Sequence, residues 1–247
     1  MKTYILYLTI PVIILACNST DKKQNDSTAT DFKTLDTIVP FPGFWVNEIY
    51  LKNIERTKSP RECQNVSESC IRIPARTLQA TSMVSNFHEG AAEMIVLKNR
   101  NKYQFYYRYG DTIRNLAYDI QIISNEKIKI GKNTFIKTNE KFLEDKLFSG
   151  EYLDSAGAKV QFLKDGHITG LGAFTTYAPV YDYLGPGMEV DLVDLGESPE
   201  KMTDFGFKFN KDTLLVYKLN CLIPDSTDNT CLKVDFGDLK YRLIKTH

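Results

Sequence analysis

The chain is expected to fold as an all-β protein, an antiparallel barrel or sandwich. Three features point that way: short runs in which aromatic and polar residues alternate, turn signals between them, and no long helical period. "YQFYYRY" (103–109) places Tyr103, Phe105, Tyr107 and Tyr109 on one face of a strand. "FGFKF" (205–209) does the same with Phe205, Phe207 and Phe209. "NKDT" then supplies a turn, and "LLVYKL" (214–219) returns. Asp165-Gly166, between the apolar flanks of "LKDGHI" (163–168), is a strong hairpin signal. "LKYRLIK" (239–245) closes the chain with Tyr241 and Leu243 on one side. The best helical candidate is "NEKFLEDKLF" (139–148), where Phe142, Leu143 and Leu147 share a side over a turn or two.

That candidate lies where a boundary would be useful, because the flanking segments echo each other. Gly43-Phe44-Trp45 opens one and Gly150-Glu151-Tyr152 the other, each with a Phe two residues ahead (Phe41, Phe148). One ends on "TFIKTN" and the other on "RLIKTH", after nearly equal lengths. The expected organisation is a signal segment (1–16), a disordered tether (17–39), a β-rich half (40–138), a helical linker (139–148) and a second, similar β-rich half (149–247). A duplicated β unit is one reading of the echo; coincidence among similar strands is the other.

Charge excludes little but is useful. Lys+Arg and Asp+Glu both number 31, so no basic excess supports nucleic-acid binding and no acidic field gathers cations. Hydrophobic residues make up 43%, enough for a real core.

The N-terminus carries one Lys and then an apolar run from Tyr4 to Ala16, shorter than the roughly 20 residues a bilayer span needs. It fits the apolar region of a secretory signal peptide, with a buried helix or short anchor as the alternative. Ile14-Leu15-Ala16-Cys17 resembles the lipobox of bacterial lipoproteins, departing from it at Leu15, where that family has a smaller residue. The resemblance implies cleavage before Cys17 and attachment of acyl chains, palmitate among them, to that cysteine. A protein so anchored would reside in the bacterial cell envelope, at the outer membrane on its periplasmic or surface side. The polar stretch after Cys17 has almost nothing to bury and reads as a tether.

With Cys17 set aside, Cys63, Cys70, Cys221 and Cys231 remain, and four cysteines pair in three ways. Spacing favours Cys63–Cys70 and Cys221–Cys231, each pair in a polar, turn-rich stretch of an exported chain. The rivals are unpaired buried thiols and a zinc site, though neither C-x-x-C nor nearby histidines support a metal. The opening Gly-x-Trp/Tyr and the closing basic strand of each half resemble lipocalin-like barrels, and the second half resembles small periplasmic lipoprotein domains built as strand meanders. The resemblance implies an aromatic plug under a cation at one barrel end, Trp45 with Lys137 and Tyr152 with Arg242. It also implies a barrel that either holds a small apolar ligand or is packed solid.

Catalytic signals are sparse. There is no H-E-x-x-H, no G-x-S-x-G and no phosphate-binding glycine loop. Of the three histidines, His88 stands near Glu89 and Glu93, His167 follows a turn, and His247 is terminal. No catalytic residue, cofactor or metal ligand is assigned. The Gly/Pro-rich stretch 172–200 carries Tyr177, Tyr181 and Tyr183, candidate ligand-binding residues, followed by Glu189, Asp191 and Asp194. The rival reading has these tyrosines covering the core under a long loop. Asp225, Asp228 and Asn229 offer oxygens but match no calcium loop. Asp-Ser/Thr-x triplets beginning at Asp26, Asp36, Asp111, Asp154, Asp212 and Asp225 resemble the O-glycosylation signal of exported Bacteroidota proteins, which would place glycans on Ser27, Thr37 and hairpin tips.

Three functions stay open. The first is a non-enzymatic, membrane-anchored protein that binds a small apolar ligand, a glycan or an envelope protein. The second is an envelope glycan hydrolase using unidentified carboxylates. The third is a structural accessory subunit. The anchor is testable by mass spectrometry: the N-terminal peptide of the native protein starts at Cys17 and carries acyl mass. An unmodified Cys17 peptide, or a chain retaining residues 1–16, contradicts that expectation.

Overall fold

The computed structural model describes Thr37–Thr246 apart from residues 78, 85, 86, 88, 89, 110, 111, 184, 186 and 227–230. The signal segment, Cys17, most of the tether, His88, Glu89, Asp228, Asn229 and His247 therefore lie outside the described residues. Thr37–Val39, expected in the tether, instead belong to the body: Ile38 bridges Arg76, and Val39 is buried with its N–H on Ala75 O at 2.9 Å.

The chain forms two closed, eight-stranded antiparallel barrels. In the first, β1 (Gly43–Asn47) leads into helices α1 (Glu48–Thr57) and α2 (Pro60–Cys63). The meander continues through β2 (Cys70–Ile73), β3 (Ala80–Val84), β4 (Ala91–Asn99), β5 (Lys102–Tyr109), β6 (Thr112–Ser124), β7 (Lys127–Ile130) and β8 (Asn133–Thr138). β8 pairs back onto β1 and closes the cylinder. Alternation sends Trp45, Ile71, Met94, Val96, Phe105 and Phe135 inward, and these side chains fill the interior.

The second barrel repeats the plan with β9 (Gly150–Leu153), β10 (Lys159–Phe162), β11 (His167–Leu171), β12 (Phe174–Pro179), β13 (Leu192–Ser198), β14 (Lys201–Asn210), β15 (Thr213–Pro224) and β16 (Cys231–Lys245), the last returning to β9. Tyr152, Phe162, Tyr177, Val193, Phe207 and Leu243 pack its interior. β14 accompanies β15 only as far as Tyr217, after which β15 and β16 continue as a two-stranded ribbon to Pro224 and Cys231. Such a ribbon is marginal alone. The Cys221–Cys231 disulfide staples it, and Leu219, Val234 and Phe236 pack it against Tyr183, Val190 and Leu192.

Both barrels open with the same device. In Phe41-Pro42-Gly43-Phe44-Trp45, the indole N–H donates to Phe41 O at 3.2 Å; in Phe148-Ser149-Gly150-Glu151-Tyr152, the phenol donates to Phe148 O at 2.7 Å. Each ring lies under a lysine from its own closing strand, Lys137 at 5.8 Å and Lys245 at 5.7 Å. The partner of Tyr152 is therefore Lys245 and not Arg242. Leu243 points into the core, so two-residue alternation carries Lys245 inward with it and turns the exposed Arg242 outward. Gly43 and Gly150 share unusual backbone angles, φ 138° and 142°, and a Cβ on either would meet the covering lysine at 2.9 and 2.6 Å.

The segment joining the barrels is helical, ending in one π-helical turn over Glu144–Phe148. Phe148 contacts Phe162, Tyr177, Phe207 and Phe209 in the second barrel. Phe142 meets Phe44 and Tyr50 of the first. One continuous core thus runs from Val46, Tyr50 and Ile54 through the linker into the second barrel. α1, absent from the sequence reading, supplies the first barrel's share. Asn47 caps it by accepting from Ile49 N, Tyr50, Leu51 and Ile54 form its buried face, and Lys58 ends it in a left-handed conformation.

Gly150→Ala is expected to lower stability by about 1–3 kcal/mol through backbone strain and displacement of Lys245. Gly157→Ala, also at positive φ but with open space around its Cβ, is expected to cost less. Equal losses in urea denaturation would contradict the role given to the lysine contact.

Candidate functional site

Of the three tyrosines proposed as ligand contacts, Tyr177 belongs to β12, and Tyr181 and Tyr183 to the loop after it. Tyr177 is buried and donates to Leu163 O at 2.7 Å. Tyr181 donates to Glu140 O at 3.0 Å and to the buried carboxylate of Glu144 at 3.1 Å, and its ring packs on Phe87 and Phe142. Tyr183 accepts from Leu192 N at 2.9 Å in the small core beneath the ribbon. Burial pushes all three hydroxyls well above the usual tyrosine range. They act as pins joining β12 and its following loop to the linker and the second barrel.

The cysteines divide. Cys221 and Cys231 are bonded, with Cα atoms 5.7 Å apart. Cys63 and Cys70 are free and buried, contrary to the expected pairing. Hydrogen bonds close the intervening loop instead: Val66 N to Cys63 O, Ser69 Oγ to Val66 O, and Asn47 N to Ser69 O. Burial raises both thiols, Cys70 to about 12, so the reactive thiolate is disfavoured at each. His167 is exposed on the Asp165-Gly166 turn, where its Nδ1 lies 3.0 Å from Asp165. Glu93, once grouped with His88, lies 3.7 Å from Arg108. Ser155 and Ser226, from the glycosylation-like triplets, are exposed at turns. Among the described residues no three His, Cys, Asp or Glu side chains converge as metal ligands, and no helix is long and apolar enough to cross a membrane.

One carboxylate pair does meet. Asp194 on β13 faces Asp204 on β14 in register, and Asp194 Oδ1 is buried with no hydrogen-bond partner among the described residues. Burial first, then Asp204, raises Asp194 to about 7. Cross-strand neighbours on one face of a sheet do not flank a bound sugar from opposite sides, as the carboxylates of glycoside hydrolysis do.

The concave surface that combines both barrels is a cleft of about 420 Å³. The α1–α2 corner contributes Ser59, Arg61 and Glu62; the second barrel contributes Glu189, Asp191, Lys208, Phe209, Asp235 and Phe236. Asp191 ties the two sides together by accepting from Arg61 N at 2.9 Å, so a carboxylate of one barrel satisfies a free N–H in the first turn of the other barrel's helix. Burial raises the Asp191 pKa, opposed by hydrogen bonds from Ser59 and Arg61. Arg61 Nε is buried with no hydrogen-bond partner among the described residues. On the far wall Lys208 Nζ sits 3.9 Å from the centre of the Phe236 ring. Of these residues the sequence reading had singled out only Glu189 and Asp191, because the partners are distant in the chain. The Pro60 start of α2, capped by Ser59, was the one local signal.

Comparison with protein-family models, with curated proteins and with solved structures found no match to this chain.

The Asp194–Asp204 pair makes stability depend on pH. A carboxyl whose folded pKa lies near 7, above its ordinary 3.8, is penalised in the folded state once ionised. Stability is therefore lost as pH rises from about 4 to about 7 and then levels off. Asp194→Asn is expected to stabilise by roughly 1–2 kcal/mol at pH 8, allowing for solvent screening, and by little at pH 4. A variant whose melting temperature tracks wild type across that range would contradict the raised Asp194 pKa.

Proposed function

We propose that the protein is a non-enzymatic, lipid-anchored envelope protein whose two-barrel body binds a glycan or protein partner on its outer surface. The carrying observation is that both barrel interiors are occupied by their own side chains, from Trp45 and Phe105 in one to Phe162 and Phe207 in the other. A small apolar ligand would have to displace close-packed aromatic rings, at a cost of several kcal/mol. Recognition is left to the outside, and the cleft between the barrels supplies a concave surface there, lined by mixed charges and the half-buried rings of Phe209 and Phe236. The apolar run ending at Cys17 supports the anchor, and the stapled ribbon suits an exported chain. The hydrolase reading has less support, since Asp194 and Asp204 are cross-strand neighbours on one sheet face and line none of the clefts described.

A photo-reactive residue in place of Asp235, exposed on the cleft rim, is expected to yield a discrete cross-linked species in intact cells. The same residue in place of Ser155, outside the cleft, is expected to yield none. No adduct from position 235, or equal adducts from both, contradicts the assignment.

A further inference from the structure

Beside the cleft, and sharing Lys58 and Phe209 with it, a pocket of about 310 Å³ gathers four lysines, Lys58, Lys146, Lys211 and Lys245, with Asp212. They come from four elements: the end of α1, the linker helix, the β14–β15 turn and the end of β16. In a chain with equal numbers of acidic and basic residues, such convergence is a local excess of one sign. Lys146 is ion-paired to Glu55 at 3.0 Å, and Lys245 donates to Ser149 O at 2.8 Å. Burial first, and then the charge of Lys58, lower the Lys245 pKa, opposed by Asp212.

Lys58 and Lys211 both adopt left-handed conformations, φ 56° and 53°. Glycine or asparagine occupies such positions most readily, and another residue costs about 1 kcal/mol or more. At both positions the chain carries a lysine, and both lysines line this pocket. Glu68 and Arg100 share this conformation without lining the pocket, and asparagine would fit any of the four places with less strain.

We propose that this pocket binds the phosphoryl group of a phosphorylated small molecule or lipid head group. Ammonium groups arriving from several sides suit a tetrahedral anion with three or four oxygens better than a planar carboxylate, and lysine serves phosphate as a point charge. The pocket exceeds a bare phosphate in size, and Leu147 on its wall gives the attached group an apolar contact. The pocket shares Lys58 and Phe209 with the neighbouring cleft, but the proposal rests on its lysines and not on the partner-binding reading of that cleft.

The test uses the chain from residue 17 onward with Cys17→Ala, so that no acyl chain contributes, in 0.15 M NaCl. The probes are inorganic phosphate, glucose 6-phosphate, and vesicles of phosphatidylglycerol in phosphatidylcholine beside vesicles of phosphatidylcholine alone. At least one phosphate-bearing anionic probe is expected to bind with Kd below about 1 mM and at least tenfold more weakly to the Lys58→Asn/Lys211→Asn double variant. Asparagine tolerates both backbone conformations, so the double variant is expected to melt at or above the parent's temperature. Binding of glucose 6-phosphate without vesicle binding assigns a soluble ligand; selective binding of the anionic vesicles assigns a head group. Failure of every probe, or equal affinity of a folded double variant, overturns the proposal.

Discussion

The structure depends on two phenylalanines of the linker. Phe148 inserts among four rings of the second barrel, while Phe142 joins Phe44, Tyr50 and Tyr181. Neither ring has measurable exposure. Aromatic burial on this scale contributes on the order of 3–5 kcal/mol per side chain, judged by the cost of truncation to alanine. A linker that buries its hydrophobic side in both neighbours cannot act as a hinge, and the junction resembles a domain interior. Surface features formed across it, including the cleft and the lysine pocket, therefore have a fixed geometry. The ion pairs along the same seam, Lys146–Glu55 and Arg72–Glu140, are exposed and add little by comparison.

The repeated opening device explains why two halves with little sequence in common adopt one plan. A glycine at large positive φ lets the closing lysine cross the backbone closely, and the aromatic two residues later bonds back to a phenylalanine carbonyl while its ring lies beneath that lysine. The requirement is for a pattern of three residues and a distant cation, leaving most positions free to differ. The barrels differ most where β15 and β16 exceed β7 and β8 in length. The extra length required both a disulfide and a private hydrophobic cluster to hold it.

Much of the fold was legible because strand alternation is a local signal. Phe105, Phe207 and Leu243 all point inward as their period predicted, and the echo between Gly43–Trp45 and Gly150–Tyr152 marked the two barrel openings. α1 was missed because its buried face consists of three residues directly after a strand-like "FWV", too short a stretch for a helical period to show. Tyr152 was matched to Arg242 because chemistry suggested a cation but not its parity along the strand. The pairing of Cys63 with Cys70 failed because sequence proximity does not reveal that backbone hydrogen bonds already close the loop. The cleft was invisible for a simpler reason: Arg61 and Asp191 belong to different barrels, and only the linker brings them together.

The central claim is that the two barrels form one cooperative body. The chain's single tryptophan, Trp45, lies in the first barrel's core, so its fluorescence reports that barrel alone, while far-ultraviolet circular dichroism reports both. Urea unfolding followed by the two signals is the direct measurement. Coincident transitions with one midpoint are expected of a shared core. A tryptophan transition clearly separated from the circular dichroism transition would show that the barrels unfold independently and would contradict the account.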